Sequence, residues 1–317
     1  MTREVIDETG RRVAVPVDVR RIVTLAPNLT EIVYALRAQD RLVGVSNYSD
    51  YPAAAKAKPR VGMQLNPNLE AIVAARPDIV LVAAVNRFET VDALARLGIA
   101  VYGTDPHTVE GTLASIEHIG GVIGASVQAE SVVANLRKRL DALKAKLVGV
   151  PPARVLFVVW QDPLTSLGTH TFIADALRFA DAQSVVEAKQ DWPQISLEEV
   201  VRLNPDYLVF ASGHFGDAGA RAQRLAELRS EAGWRELTAV REGHVAVISD
   251  EINLPAPGLV DAIEQLAHQL HPNAFAQAPQ PRATARQSPA FAPVFAAGRL
   301  HRTVSRNSCV EANACAR

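Results

Sequence analysis

One stretch of this chain occurs twice: Leu69-Glu-Ala-Ile-Val-Ala-Ala-Arg-Pro-Asp-Ile-Val-Leu-Val82 returns 128 residues later as Leu197-Glu-Glu-Val-Val-Arg-Leu-Asn-Pro-Asp-Tyr-Leu-Val-Phe210. Each copy predicts a short helix that ends before the proline, because proline disfavours α conformation in the residue before it. A strand that is apolar at every position then follows, which is typical of parallel strands buried on both faces. The repeat therefore predicts two α/β lobes, each with its own sheet.

Strand, turn and helix alternate through the rest of the chain. We expect a hairpin around Gly10, a core strand over 21–25 that leads into a helix, and further strands over 42–45 and 101–103, the last followed by a helix around 111–119. Residues 126–147 place four leucines on one stripe, and this predicts a single helix of roughly 33 Å. The leucines are Leu136, Leu140, Leu143 and Leu147.

The predicted fold class is α/β, with two doubly wound lobes joined by one long backbone helix. We expect an N-terminal lobe over 1–125, the backbone helix over 126–148 and a C-terminal lobe over 149–272. The composition changes to Ala, Pro, Gln, Ser and Arg in 273–317, which predicts a disordered low-complexity tail.

Charge and composition exclude several classes of partner. The net charge of −1 carries no electrostatic signature for nucleic acid. The chain contains no apolar stretch of the roughly 18–20 residues that a membrane helix needs, so we expect no direct membrane insertion. Cysteine occurs only at Cys309 and Cys315, which excludes a disulfide or a thiolate metal site within the lobes.

Several segments together resemble one family. They are DETGRRVAVP (7–16), RIVTLAPNLTEIVYAL (21–36), VGVSNYSDYP (43–52), the two repeat copies and PAPGLVDAIEQLA (255–267). These segments are similar to periplasmic substrate-binding proteins of ABC transporters that have a helical backbone, a family that includes receptors for vitamin B12, siderophores and haem. The resemblance implies two lobes joined by the long helix, with a ligand cleft between them. It also implies a monomeric receptor without enzymatic activity or catalytic cofactor. It would capture cobalamin or a related corrinoid and deliver it to a permease with its ATPase subunits. A ferric siderophore or haem is the alternative ligand.

Glu70 and Glu198 occupy equivalent positions in the two repeat copies, after the N-cap candidates Asn68 and Ser196. An acidic side chain in the first helical turn complements the helix dipole, and Ser196 with Glu199 could form a capping box. In the family that the chain resembles, the matching glutamates pair with arginines of the permease. The resemblance therefore favours Glu70 and Glu198 as partner-docking residues.

Ligand contacts are expected in loops that follow the carboxyl ends of strands. This rule selects Pro27, Asn28, Tyr48, Tyr51, Gln64, Trp160, Leu164, Trp192, His214 and Phe215. The preferred set omits Tyr51 and Trp160. The resemblance supports Tyr48 and Trp192, which match aromatic positions that contact corrinoids. Where the family's cobalamin receptors have further aromatic residues this chain has Gln64, Ala83 and Leu164, and Gly258 replaces an arginine that is common in the terminal segment.

Two other function classes are less favoured. A zinc or manganese receptor would need several histidines and carboxylates at the cleft, and the eight histidines do not show that arrangement. A cytosolic α/β enzyme would need a phosphate loop or a catalytic constellation. The segment from Gly120 to Gly124 follows a helix and is interpreted as a helix-to-helix turn. Asp50, Asp105, Asp162 and Asp250 lack connecting catalytic motifs.

The expected location is the periplasm, although Met1 leads directly into charged sequence without the apolar segment of a signal peptide. Two interpretations remain open. The export signal is missing from this sequence, or the protein is a cytosolic relative with another task.

Overall fold

The computed structural model describes residues 1–84, 86, 88–211 and 219–276. Strands β1 (Thr2–Ile6) and β2 (Arg12–Pro16) form the predicted antiparallel hairpin, which turns through Gly10 at a positive φ of 83°. The predicted tail, apart from residues 273–276, lies outside the described residues. None of the helices in the described ranges is long and apolar enough to cross a membrane.

The first lobe is built on a parallel sheet of four strands in the order β4-β3-β5-β6. Its elements in chain order are β3 (Ile22–Thr24), α1 (Pro27–Ala35), β4 (Leu42–Val45), α2 (Leu69–Ala74), β5 (Ile79–Ala83), α3 (Phe88–Arg96), β6 (Ala100–Thr104) and α4 (Val109–Ile123). Helix α5 (Ser126–Leu147) then follows with the predicted bounds, and its four stripe leucines are all buried.

The second lobe repeats this topology with a parallel sheet in the order β10-β7-β11-β12. Its elements are β7 (Ala153–Val158), β8 (Trp160–Gln161), β9 (Leu164–Thr165), α6 (Phe172–Phe179), β10 (Ala182–Ser184), α7 (Leu197–Leu203), β11 (Tyr207–Ala211), α8 (Ala220–Ser230), α9 (Thr238–Glu242), β12 (Val245–Ile248), α10 (Gly258–Leu270) and α11 (Pro272–Phe275). Strands β8 and β9 form a separate antiparallel hairpin directly after β7. The prediction of two parallel α/β sheets is confirmed.

Each sheet is covered on both faces, as the continuously apolar strands predict. One central cluster joins side chains of both sheets, α4, α5, α6 and α10, and it includes Leu81 of the first lobe and Phe157 of the second. The outer face of each sheet has its own smaller cluster: Val80 and Val82 lie in that of the first lobe, and Leu156 and Val158 in that of the second. The two lobes therefore have separate sheets but share their central core.

Two arginines attach the backbone helix to the elements on either side of it. Arg137 pairs with Glu110 and Glu117 of α4. Arg139 pairs with Asp261 and with Glu264 of α10, where the Nη2–Oε2 distance is 2.6 Å. These hydrogen-bonded pairs raise the pKa of both guanidinium groups, so both stay charged. The apolar stripe and the arginine pairs together fix α5 against both lobes.

The Pro-Asp step of the repeat has a structural role that the sequence alone did not reveal. The residue before each proline, Arg76 or Asn204, takes a left-handed conformation, with φ of 45° and 42°. Asp78 Oδ2 then accepts hydrogen bonds from the backbone N–H groups of Arg20 and Arg21, at 2.7 and 2.8 Å. Asp206 Oδ2 accepts one from the N–H of Arg154, at 3.0 Å. Each aspartate thus ties the repeat to the first strand of its lobe.

Arg21 and Arg154 also bind the carboxyl ends of the repeat helices α2 and α7. Arg21 donates from Nη2 to the carbonyl of Ala75 at 2.7 Å, and Arg154 donates from Nη2 to that of Leu203 at 2.7 Å. A cation at this end of a helix satisfies carbonyl groups that lack partners within the helix and complements the helix dipole. The duplication therefore includes an arginine, an aspartate and a left-handed residue in each lobe.

Replacing these aspartates by alanine should destabilise the protein unequally. Asp78→Ala removes the acceptor of two backbone N–H groups and is expected to cost about 2–3 kcal/mol, whereas Asp206→Ala removes one and should cost about 1 kcal/mol. Urea unfolding of both variants measures the difference, and Asp78→Asn, which keeps an acceptor oxygen, is the matched control. Equal losses for the two alanine variants would contradict this account.

Two sequence-based boundaries need correction. Gly120 and Gly121 lie within α4, so only Gly124, at φ 71°, forms the predicted turn between helices. The predicted tail begins too early, because Phe275 belongs to α11 and its ring stacks on His268 at a centroid distance of 3.7 Å. The isolated Pro-Asn-Ala-Phe segment lacks periodicity, and only its packing against α10 reveals this turn of helix.

Candidate ligand-binding cleft and docking surface

The carboxyl-end loops of the two sheets contact each other, which places the predicted cleft at this edge. Asn28, at the start of α1, places its Nδ2 atom 3.5 Å from the carbonyl oxygen of Pro255 in the second lobe. Elsewhere the Val109 N–H at the start of α4 donates to Asp175 Oδ2 of α6 at 2.8 Å. Because parallel strands bring their carboxyl ends to one edge, the described loops after the strands of each sheet share that edge.

Gly258 lies at the centre of one of these junctions. Its N–H donates to Glu31 Oε1 at 2.7 Å, and both Glu31 and Glu251 are buried. A Cβ atom on residue 258 would lie 2.7 Å from Glu251 Cγ and 3.0 Å from Glu31 Oε1. The packing therefore explains why glycine stands at this position.

Tyr51 lies in the same electrostatic environment. Burial raises the pKa of its phenol, and the nearby carboxylates of Glu31, Asp261 and Glu251 raise it further. A raised pKa keeps the phenol protonated at neutral pH. Tyr51 is therefore a neutral hydrogen-bonding group beside the cleft.

The first lobe presents exposed apolar side chains beside the predicted Gln64. The segment 59–62 runs along β4 as an additional parallel strand, since Val61 N–H donates to Val45 O and Asn47 N–H donates to Gly62 O. Its carboxyl end therefore leads to the same edge as Tyr48. Tyr48, Met63 and Leu65 are 60%, 46% and 50% exposed. Met63 and Leu65 were not among the residues predicted from the sequence, because the strand-like pairing of 59–62 has no local periodic signal.

The second lobe presents two tryptophans on one small antiparallel sheet. Trp160 pairs with Thr165 in the β8–β9 hairpin, and Thr165 pairs with Gln194 of the neighbouring segment. The register continues to Trp192 opposite Leu167, since Ser166 N–H donates to Pro193 O and Gly168 N–H donates to Asp191 O. Directly opposed residues share a face of a sheet, and so do residues two apart. Trp160 and Trp192 therefore lie on the same face as Leu167.

That face is directed towards the junction of the lobes. Leu167 is fully buried in the central cluster that both lobes share. Leu164 lies on the opposite face and packs, half-buried, against the outer cluster of the second lobe. The structure thus separates Trp160 and Trp192 from Leu164, which the sequence analysis had grouped with them as a ligand contact. Alternation along β9 accounts for the separation.

The other predicted ligand residues have varied positions. Pro27 is half-buried at the first position of α1, and Asn28 is buried within the lobe contact. His214 and Phe215 lie outside the described residues. Ligand binding by each of these residues stays a prediction.

Two histidines of the described ranges contact polar groups far away in the chain. His118 Nδ1 lies 3.1 Å from Glu8 Oε1, and His271 Nε2 lies 3.1 Å from the carbonyl of Ala180. Within those ranges no group of three or more histidine, cysteine, aspartate or glutamate side chains is placed to hold a metal ion. Two grooves of about 520 and 500 Å³ flank the edge strand β10, and their linings contain none of the predicted ligand residues.

The family profile of periplasmic binding proteins matches residues 22–252, which includes both sheets and the backbone helix. This chain belongs to the periplasmic binding protein family. Membership makes the chain a binding protein rather than an enzyme, as the sequence predicted. The two-lobed fold and the helical-backbone class are likewise confirmed.

Individual members of the family are similar over most of their length. The ABC transporter substrate-binding lipoprotein YvrC of Bacillus subtilis is 30% identical over 278 residues, which cover 85% of each chain. The crystal structure of the periplasmic vitamin B12-binding protein BtuF of Vibrio cholerae superposes with a TM-score of 0.70 and 26% identity, covering 83% of this chain and 100% of that one. A periplasmic haem-binding protein from Pseudomonas aeruginosa gives a TM-score of 0.69 at 27% identity, covering 80% and 93%.

The two repeat glutamates are exposed at the starts of α2 and α7. Both predicted N-caps are confirmed: Asn68 Oδ1 accepts from Ala71 N–H at 2.9 Å and Ser196 Oγ from Glu199 N–H at 3.2 Å. The capping box is only half formed, because the Glu199 carboxylate turns to Arg202 instead of returning to Ser196.

Within the described residues, neither of the two glutamates forms an ion pair with a lysine, arginine or histidine. Hydrogen bonds from its own backbone N–H and from Ser196 lower the pKa of Glu198, so this carboxylate stays ionised. Each glutamate is followed three residues later by an exposed valine, Val73 or Val201, on the same helix face. We call Glu70 with Val73, and Glu198 with Val201, the twin patches.

Proposed function

We propose that this protein is the substrate-binding component of an ABC importer, and that it captures cobalamin or a related corrinoid between its lobes. The observation that carries the proposal is the concentration of exposed large apolar side chains at the carboxyl-end loops of both sheets. Tyr48, Met63 and Leu65 stand on one side, and Trp160 and Trp192 on the other. Exposed rings of this kind bury large areas against a flat ligand at little entropic cost.

The composition of the cleft also argues for a large chelate rather than a small ion. A metal or oxyanion receptor would need convergent ligating or cationic groups, and the described cleft residues are mainly apolar or aromatic. A relative that binds vitamin B12 and one that binds haem both share this architecture at more than 25% identity. Haem or a ferric siderophore is therefore the second candidate class.

Delivery to a membrane permease is the second part of the proposal. The twin patches lie at equivalent positions of two lobes whose relative placement is fixed by α5 and the shared core. Two such charges are satisfied together only by a partner with matching spacing, such as a two-fold symmetric permease. The receptor would act as a monomer in the periplasm and bind the permease of a complex that includes ATPase subunits.

Titration of the purified protein with cyanocobalamin, haemin and a panel of ferric siderophores tests the ligand assignment. We expect saturable one-to-one binding of cyanocobalamin, followed by calorimetric heat and by quenching of tryptophan fluorescence. Saturation by haemin or a siderophore alone would replace the corrinoid but keep the receptor function. If none of these chelates binds, the proposed function fails.

A further inference from the structure

The side of the cleft formed by the second lobe contains one residue that similarity to known receptors does not single out. Trp160 is 65% exposed, more than either Trp192 at 51% or Tyr48 at 60%. An exposed indole presents a large apolar surface that a bound molecule can cover. Its place on the same sheet face as Trp192 makes Trp160 a candidate ligand contact.

Local hydrogen bonds hold this ring in place. The Trp160 indole N–H donates to the carbonyl oxygen of Asp162 at 2.8 Å, across the tip of the β8–β9 hairpin. The hairpin is itself fixed to β7, since Ser166 Oγ donates to Phe157 O at 2.8 Å and is fully buried. Because its polar atom is already satisfied, the ring can offer its apolar faces to a ligand without losing a hydrogen bond on binding.

Arg224 reinforces the hairpin from the opposite face. Its Nη1 donates to Gln161 Oε1 at 3.0 Å, and its guanidinium lies 5.0 Å from the centre of the Phe210 ring. Gln161 pairs with Leu164 and so shares the face that looks towards the outer cluster. The sheet face that carries Gln161 and Leu164 is thus covered by protein contacts, whereas the Trp160 side chain on the other face is exposed.

Strand geometry gives the separation of the two tryptophans. Trp160 and Gln194 are two strands apart, about 10 Å, and Trp192 is two residues farther along, about 7 Å. The two Cα atoms are therefore about 12 Å apart on one face of the sheet. A single ligand can touch both rings only if it extends over a comparable length, which excludes a bare metal ion or a small oxyanion.

We propose that Trp160 and Trp192 form one two-ring platform on the second lobe, and that Trp160 is the specificity-determining residue that selects an extended, flat chelate. The inference rests on the proposed receptor function and narrows its ligand class to macrocycles and comparably broad chelates. Tyr48, Met63 and Leu65 supply apolar contacts from the facing lobe.

Calorimetric titration with cyanocobalamin and haemin tests the platform in three variants of the full chain. For whichever chelate the unmodified protein binds, Trp160→Ala should weaken binding roughly 10-fold, because it removes one of two stacking surfaces. Trp160→Phe keeps a ring but cannot donate to Asp162, and we expect a loss of less than about 3-fold. Leu97→Ala removes a similarly exposed apolar side chain remote from the cleft loops, 60% exposed against 65% for Trp160, and should leave affinity unchanged.

Comparison of the phenylalanine and alanine variants shows whether Trp160 contacts the ligand or only stabilises the hairpin. If Trp160 only pinned the hairpin, alanine and phenylalanine would weaken binding equally and both would lower Tm, which would overturn the inference. An unchanged affinity in Trp160→Ala, with normal binding by the unmodified protein, overturns the platform and leaves the receptor function intact. Failure of the unmodified protein to bind either chelate, together with saturation by molybdate or a free metal ion, overturns both.

Discussion

Replacing Trp192 by alanine is expected to weaken cyanocobalamin binding about 30-fold, a loss of about 2 kcal/mol. The side chain lies on the cleft-facing side of the small sheet, opposite the fully buried Leu167, so a ligand would press it against packed protein rather than solvent. Stacking contacts with such a supported ring are stronger than contacts with a mobile one. Isothermal calorimetry measures the change in Kd directly.

Two comparisons make this result specific to the ring. Trp192→Phe should keep most of the affinity, and Val148→Ala, on a side chain that is 79% exposed beyond the backbone helix, should have no effect. Because Trp192 is only half-exposed, Trp192→Ala also removes some packing and should lower the free energy of unfolding by about 1–2 kcal/mol, whereas Trp192→Phe and Val148→Ala should stay within about 0.5 kcal/mol of the original. If Trp192→Ala binds cyanocobalamin with full affinity, the tryptophan-bearing face of the second lobe is not part of the binding site.

Reversing both repeat charges, Glu70→Arg with Glu198→Arg, should reduce binding to the cognate permease at least 100-fold. Like charges brought together at an interface cost several kcal/mol, and here two such contacts would form at once. Single alanine replacements should cost only about 2- to 5-fold each, because exposed ion pairs contribute about 0–1 kcal/mol. Binding to the permease complex reconstituted in nanodiscs is the measurement.

The matched control reverses two exposed glutamates outside the twin patches, Glu130→Arg with Glu231→Arg, and keeps the same total charge change. This control should bind the permease within about 3-fold of the original protein. The affinities of both are measured over the same series of salt concentrations. Both double variants should bind the ligand normally, since neither touches the cleft. Equal losses in the two double variants would mean that net charge, and not the twin patches, governs docking.

The repeat itself allowed much of the architecture to be predicted. Apolar runs such as 79–82 and 207–210 specify strands buried on both faces, and the leucine stripe of α5 gives a helix with the observed bounds. These signals are local, because side-chain spacing along a helix or strand repeats over a few residues. N-cap residues such as Asn68 and Ser196 are also predictable from local sequence, because each side chain accepts a hydrogen bond from a backbone N–H three residues ahead.

The candidate site was predictable only in part. The rule that ligands bind at carboxyl-end loops selected Tyr48, Trp160 and Trp192, which are exposed there. It also selected Leu164, whose side chain turns to the outer cluster, and it missed Met63 and Leu65. Loop residues lack the periodicity that would show which way each side chain points, so sequence alone could not separate these cases.

The sequence alone thus indicated the buried parallel strands, the backbone helix and the family, since each depends on patterns within short segments. Only the tertiary structure decided which face Trp160 and Leu164 take, why residue 258 must be glycine, and that the lobes share one core. Each of these depends on strand register or on contact between residues far apart in the chain. Such contacts are fixed by packing and hydrogen bonding across the molecule, which no local pattern records.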